Sequence, residues 1–270
     1  MKQKLIAIDL DGTTLNSQSE ITPRTKEVLH AASQAGHIVS IVTGRPYRIS
    51  QQFYDDLGIK TPMINFNGAL GHIPHENWNK EYADTFSRDI VFELLEKRNE
   101  LGIKMSAAEG KTLVLSDTVN NNVNEFFPVI TQPEQLLTAK NLRQDPSAMT
   151  MWIEPENKQN VIQKLQKEFG DYINVGIWGG PYSILELSPK GINKARGVKF
   201  LADNYNIARE DIIAFGDEHN DTEMLDYVGW GVSMQNGTTE LKNLANDITP
   251  LTNDQDGLAD YLSNYLNLAK

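Results

Sequence analysis

The stretch Lys4-Leu5-Ile6-Ala7-Ile8-Asp9-Leu10-Asp11-Gly12-Thr13-Thr14-Leu15 limits what this chain can fold into more than any other. Leu5, Ile6, Ala7 and Ile8 are apolar without alternation. That is the pattern of a strand covered on both faces, as in the middle of a parallel sheet. The strand delivers Asp9 and Asp11 at its end. Two carboxylates at i and i+2 in such a place are costly unless something compensates them. A divalent cation is the natural compensator, and magnesium takes oxygen ligands, commonly carboxylates with water and a substrate phosphate. Gly12 lets the backbone turn sharply. By itself the stretch also fits two aspartates that only cap a turn. A calcium-binding loop does not fit. Counted from Asp9, its third ligand position holds Thr13 and its glycine position holds Thr14, although Glu20 occupies the last position.

With 270 residues the chain is long enough for one or two domains and a sizeable core. Hydrophobic content of 40% and charged content of 23% are ordinary for a soluble globular protein. No apolar run reaches the roughly eighteen residues of a membrane span. The chain enters a strand within a few residues and shows no signal-peptide pattern. A cytoplasmic protein with no membrane partner is expected. The absence of cysteine rules out disulfides and thiolate metal sites. A net charge of −11 argues against a nucleic-acid partner, which needs a basic face. It leaves room for a small anionic substrate held by local lysine, arginine or a bound cation.

Alternating strands and helices follow the first strand. Thr22 and Pro23 read as the N-cap and first position of a helix whose stripe is Val28, Leu29, Ala32 and Ala35, stopped by Gly36. A strand Ile38–Val42 ends in Thr43-Gly44-Arg45-Pro46, a helix runs to about Gly58, and a strand Pro62–Phe66 ends in Asn67-Gly68-Ala69. This rhythm predicts a parallel α/β sheet with right-handed crossovers. From about Asp84 to Leu187 the pattern changes to an α+β insert. Its expected parts are a helix Arg88–Leu101, strands Lys111–Leu115 and Ala148–Ile153, a helix Val161–Phe169, and a hairpin of Ile173–Trp178 with Tyr182–Leu187 across Gly179-Gly180-Pro181. Trp152 and Trp178 read as its core or inner face. Asn120, Asn121, Asn122 and Asn124 form a turn-rich patch. The α/β rhythm resumes at Ser188, with a helix through Val198, Leu201 and Ala202. A strand Asp211–Asp217, a short helix Asn220–Tyr227, a strand Gly231–Met234 and helices at Lys242–Ala245 and Asp256–Leu266 follow. The expected organisation is a core of residues 1–83 and 188–270 interrupted by an insert of 84–187.

Polar groups then stand at four strand ends: Asp9 with Asp11, Thr43 with Gly44 and Arg45, Lys194, and Asp217 with Asn220 and Asp221. Open parallel sheets bind ligands outside the carboxyl ends of their strands. Each group alone is a cap, a turn or a solvated lysine. Together they supply what phosphoryl transfer needs: a nucleophile, a metal site, donors to phosphoryl oxygens and an acid or base for the leaving group. Asp9, on the rigid strand, suits the nucleophile that forms an aspartyl-phosphate. Asp11, two residues on, suits the acid that protonates the leaving alkoxide and then activates water. The Thr43 hydroxyl and Gly44 amide can hold phosphate oxygens, Lys194 can neutralise charge, and Asp217 can complete the metal site.

Asp9-Leu10-Asp11-Gly12-Thr13, Thr43-Gly44-Arg45, Lys194 and Gly216-Asp217-Glu218-His219-Asn220-Asp221 resemble, in order, the four motifs of the haloacid dehalogenase superfamily. Asn67-Gly68-Ala69, Pro189–Lys194 and the placement of the insert resemble its Cof-type branch, class IIB. The resemblance covers nearly the whole chain. It implies a Rossmann-like parallel-sheet core with an inserted α+β cap, and a magnesium-dependent phosphatase of small phosphorylated metabolites such as sugar phosphates. It implies Asp9 as nucleophile and metal ligand, and Asp11 as general acid/base binding Mg2+ through its backbone carbonyl. It further implies Asp217 as the third protein ligand, Asp221 as support for the metal shell, Asn220 in contact with phosphate and Leu10 offering a backbone amide. The family's lysine falls on Lys194, with Asn193 in place of the more usual serine and Ala195 in place of glycine; Lys190 is the rival position. Arg45 and Arg48 are expected at the pocket, and His219 at the surface or behind the site. A phosphomutase of the same fold and a non-enzymatic phospho-ligand sensor are the alternatives, and monomer or homodimer are both open. A receiver-like phosphoacceptor needs neither a cap nor Asp11.

Overall fold

The structure, a computed structural model, describes residues 2–118, 127–178 and 183–268. In chain order, β1 (Leu5–Ile8), α1 (Pro23–Gln34), β2 (Ile38–Ile41), α2 (Tyr47–Leu57), β3 (Met63–Asn65) and β4 (Leu70–His72) come first. They are followed by β5 (Tyr82–Ala83), α3 (Arg88–Glu96), α4 (Arg98–Leu101), β6 (Ile103–Glu109), β7 (Val114–Ser116), β8 (Ala148–Ile153), α5 (Lys158–Phe169), β9 (Ile173–Ile177) and β10 (Ile184–Pro189). Then come α6 (Lys194–Tyr205), β11 (Ile212–Gly216), α7 (Thr222–Tyr227), β12 (Trp230–Ser233), α8 (Thr239–Leu244), β13 (Asp247–Ile248) and α9 (Gly257–Tyr265). Two compact units result, one from Met1–Gly44, Ser50–Glu81 and Asn193–Lys270, the other from Arg45–Ile49 and Tyr82–Ile192. Because β10 runs on to Pro189, residues 188–192 group with the second unit, as do Tyr82 and Ala83.

The first unit is built on a parallel sheet of order β13-β12-β11-β1-β2. A parallel bridge from Val42 to Ile64 continues it toward β3, which turns back into β4 as an antiparallel pair. The unbroken apolar run of β1 has a simple cause. Ile6 and Ile8, with Ile213 and Phe215 of β11, pack among Val28, Leu29 and Ala32 of α1 and Leu258 and Leu262 of α9. Leu5 and Ala7, with Ile212 and Ala214, pack on Val198 and Leu201 of α6 and Met224 and Leu225 of α7. Alternate residues therefore meet two different helix layers. The Thr22 hydroxyl accepts the Thr25 amide and caps α1, with Pro23 opening it. Register pairs Ile8 with Phe215, so the chain leaves β1 at Asp9 beside the point where it leaves β11 for Asp217.

The second unit carries an antiparallel sheet of order β7-β6-β8-β10-β9. One face packs Met149, Met151, Leu185 and Leu187 on apolar residues of α3 and α5. The other holds Met105, Ala107 and Ile184, with Trp152 and Trp178 half-buried against them. Several local expectations shift. Ile103–Glu109 forms a central strand that its Lys, Ser and Ala content conceals; all of it except Lys104 is buried. The helix expected over Arg88–Leu101 breaks at Lys97, where ψ is 7°, into α3 and α4. The strand expected at Lys111–Leu115 lies at Val114–Ser116. β9 and β10 pair as a hairpin, with Ile177 opposite Leu185. The expected turn residues Gly179, Gly180 and Pro181, the expected strand residue Tyr182, and the patch of Asn120, Asn121, Asn122 and Asn124 lie outside the described residues. Among the described residues no helix is long and apolar enough to cross a membrane.

Candidate active site

The end of β1 turns through Leu10–Thr14 in a tight bend. Gly12 sits there at φ 65°, where an added Cβ would lie 2.1 Å from Asp217 Oδ2. Glycine is required on both counts, by conformation and by the close approach of a carboxylate. Thr14 Oγ1 donates to the Asp9 carbonyl at 2.5 Å and closes the bend. Thr13 Oγ1 donates to Asp217 Oδ1 at 2.9 Å, tying this loop to the one after β11. On the far side Asn236 Nδ2 donates to the Gly12 carbonyl at 2.8 Å.

Lys194 opens α6 directly after Asn193, whose side chain accepts the Arg196 amide and caps the helix. The lysine is wholly buried, and its Nζ lies 2.7 Å from both Asp9 Oδ1 and Asp221 Oδ1. Asp221 Oδ2 accepts the backbone N–H groups of Asp217 and Glu218 at 3.0 and 3.2 Å. Both oxygens of Asp221 are thus engaged by protein donors. Asp9, Asp217 and Asp221 each present a carboxylate oxygen, and these lie within 4.8 Å of one another.

One lysine does not balance three carboxylates in so dry a place. Burial pushes the Asp9 carboxyl well above its ordinary range; Lys194 pulls it down, while Asp221, Asp217 and Asp11 push it further up. Asp217 is raised to about 7 by burial and by Asp221, against the Thr13 hydrogen bond and Lys194. Burial works against the charge of Lys194, but Asp221 and Asp9 outweigh it and hold its pKa above the ordinary lysine value. Asp9 and Asp217 are displaced in the same sense, by burial first and then by acidic neighbours, and Lys194 does not offset it. Crowded hard oxygen donors short of a cation are what a divalent metal such as magnesium fits.

Thr43 is fully buried at the end of β2, donating its N–H to the Ile64 carbonyl and accepting the Asn67 N–H. Gly44 follows it closely packed, since a Cβ there would stand 2.9 Å from Asn67 Oδ1. Asn220 is half-buried, and its Nδ2 donates to Asn67 Oδ1 at 3.1 Å. Leu10 is buried, and Asp11 is exposed, with its carboxylate outside the trio. Lys190 is exposed and stands outside the carboxylate cluster that holds Lys194. Arg45 is buried and groups with the second unit, as does Arg48, whose Nε and Nη2 meet Glu109 Oε1 and Oε2 at 2.6 and 3.3 Å. His219 is exposed against Glu218. No role for Thr13, Asn67 or Asn236 is legible in the sequence. The first two lie inside the motifs Asp9–Thr13 and Asn67–Ala69; Asn236 carries no local signal.

The model of the haloacid dehalogenase-like hydrolase family matches residues 6–262. A 5-amino-6-(5-phospho-D-ribitylamino)uracil phosphatase of Bacillus subtilis (strain 168), YitU, is 34% identical over 268 residues, 99% of this chain and 99% of its own length. A second phosphatase of that name from the same organism, YwtE, is 27% identical over 98% of each chain. A crystal structure of a haloacid dehalogenase-like hydrolase from Bacteroides thetaiotaomicron superposes with a TM-score of 0.83. It is 26% identical and covers 98% of this chain and 100% of its own.

Proposed function

Because the chain belongs to the haloacid dehalogenase-like hydrolases, we propose that it is a magnesium-dependent phosphatase of phosphorylated sugars or sugar alcohols, working through an aspartyl-phosphate on Asp9. The observation that carries this reading is the buried Asp9–Lys194–Asp221 arrangement, with Asp217 beside it, at the ends of β1 and β11. Asp9, Asp217 and the backbone carbonyl of Asp11 would hold the magnesium, with Asp221 fixing the loop that bears Asp217. Bound there, the cation supplies the missing positive charge and draws density from the phosphoryl oxygens.

Asp9 attacks phosphorus, the bond from phosphorus to the leaving oxygen breaks, and Asp11 gives its proton to the departing alkoxide. Asp11, now a carboxylate, takes a proton from water. The hydroxide attacks phosphorus, the bond to Asp9 breaks, and orthophosphate leaves. Lys194 pins the Asp9 carboxylate and offsets charge as the transfer proceeds. Leu10 and Gly44 offer backbone amides, and Thr43 and Asn220 offer side chains, to the phosphoryl oxygens; Arg45 is a further candidate at the substrate.

The first substrate to test is 5-amino-6-(5-phospho-D-ribitylamino)uracil, the compound in the name of two relatives. It is a phosphate monoester on a ribityl chain, within the sugar-phosphate class. Choice of leaving group is assigned to the inserted unit as a cap. Its sheet face with Met105, Ala107 and Ile184 carries Thr150 opposite Glu186, whose Oε2 accepts Trp178 Nε1 at 2.8 Å. Phosphate release is measured on this compound, sugar phosphates and p-nitrophenyl phosphate, with magnesium and with EDTA. Release that needs magnesium and is lost in Asp9→Asn is expected. Undiminished release by Asp9→Asn contradicts the reading.

A further inference from the structure

Phe66, Asn67 and Gly68 stand in succession at φ 51°, 54° and 110°. Left-handed backbone is unfavourable for any side chain and rarest for a bulky one, and where it persists the surroundings over-determine it. Here the surroundings are explicit. Phe66 is buried. Just before it, Asn65 Nδ2 donates to Ser50 Oγ at 2.8 Å, and with its nitrogen so engaged its Oδ1 faces His72 Nε2 at 3.0 Å. All three are fully buried. A buried polar chain thus anchors the end of β3, and the left-handed turn springs from it.

The turn reaches three loops at once. The Asn67 N–H donates to the Thr43 carbonyl at 3.1 Å. Its carboxamide lies against Gly44, where a Cβ would stand 2.9 Å from Oδ1 and 3.1 Å from Nδ2. Oδ1 also accepts Asn220 Nδ2 at 3.1 Å. Gly68 backs onto Asn193, whose carbonyl would lie 2.3 Å from an added Cβ, next to Lys194. One side chain therefore touches two groups assigned above to phosphoryl oxygens, and its backbone borders the residue before the lysine.

We infer that Asn67 is a positioning residue for phosphoryl recognition: its clamped carboxamide sets the plane of the Asn220 amide and the path of the Thr43–Gly44 backbone. The inference rests on the phosphatase reading. An amide nitrogen has two hydrogens. Asn67 takes one from Asn220 and fixes the other for a phosphoryl oxygen. Donors held in advance stabilise the transferring group more than the bound ester, so losing the clamp acts on kcat.

The test is a double-substitution cycle with Asn67→Gly, Asn220→Ala and both together, in magnesium with p-nitrophenyl phosphate. Glycine keeps the positive φ and removes only the amide. The expected loss in kcat for Asn67→Gly is about 10- to 100-fold with KM within about 3-fold, and inhibition by orthovanadate weakens in parallel. In the Asn220→Ala background the same substitution costs less than about 3-fold, because the two act as one unit. Asn67→Ser carries the same cycle if the glycine variant does not fold. A loss undiminished in the Asn220→Ala background, or an unchanged kcat, overturns the inference. If the parent hydrolyses no ester, the phosphatase reading fails and orthophosphate affinity decides this one. Weakened affinity in both single variants sustains it, and unchanged affinity overturns it. A parent that binds neither orthovanadate nor orthophosphate overturns both.

Discussion

Replacing Lys194 by methionine removes one charge and little volume, and its cost follows from the surroundings. The lysine is fully buried, with Asp9 and Asp221 each at 2.7 Å. Methionine fills nearly the same space, so cavity formation contributes little. What remains is a pair of buried carboxylates without their cation, a loss of about 3–5 kcal/mol for breaking a buried pair. Asp9, already raised by burial and its acidic neighbours, relieves part of this by taking up a proton, so the lower end applies. For a chain of this size about 3 kcal/mol lowers the melting temperature by roughly 6–12 °C. Melting followed by circular dichroism in EDTA at pH 7.5 reads this directly. The deficit should shrink at pH 5.5, where protons are more plentiful. Phosphatase activity should fall by about 10²-fold or more as an electrostatic contribution to the transition state is removed. A Lys194→Met variant melting within about 2 °C of the parent in EDTA would refute the claim that the lysine balances the cluster.

Other outcomes follow from the same geometry. Asp217, raised to about 7 in the folded chain, holds its proton more tightly folded than unfolded. That contribution is fully present below the unfolded value and is lost as pH rises through about 7, so metal-free protein should melt lower at pH 8 than at pH 6. Asp217→Asn should flatten this trend in EDTA melts, and a trend of equal slope in the variant contradicts the assignment. Thr13→Val removes the hydroxyl donated to Asp217 Oδ1. The loss of about 1 kcal/mol should weaken magnesium binding roughly fivefold by calorimetry, and unchanged affinity contradicts it. Gly12→Ala faces both a left-handed φ and a Cβ 2.1 Å from Asp217 Oδ2. It should lose magnesium-dependent phosphate release while the fold, read by circular dichroism, survives. An active Gly12→Ala enzyme would mean that Asp217 moves freely.

What the sequence revealed of the fold depended on how local the cause was. The run Leu5–Ile8 announced a doubly covered strand because alternate residues meet two helix layers. Thr22 and Pro23 announced α1 because capping acts within one turn. β6 was hidden: Lys, Ser and Ala carry no strand preference, and only its neighbours β7 and β8 make Ile103–Glu109 extended. The break at Lys97 is likewise set by context. At the site, charged residues at strand ends stood out because carboxylates and a lysine are conspicuous there. Thr13, Asn67 and Asn236 did not, since each makes a side-chain hydrogen bond to a residue 204, 153 or 224 positions away. Nothing near them in the chain signals such a partner.

The most direct test of the account is acid quenching during turnover with p-nitrophenyl phosphate and magnesium, followed by mass spectrometry of the peptide that contains Asp9. One phosphoryl group on Asp9 is expected, absent in EDTA and in Asp9→Asn. Steady phosphate release with no phosphoryl group on Asp9, or with the group on another residue, would contradict it.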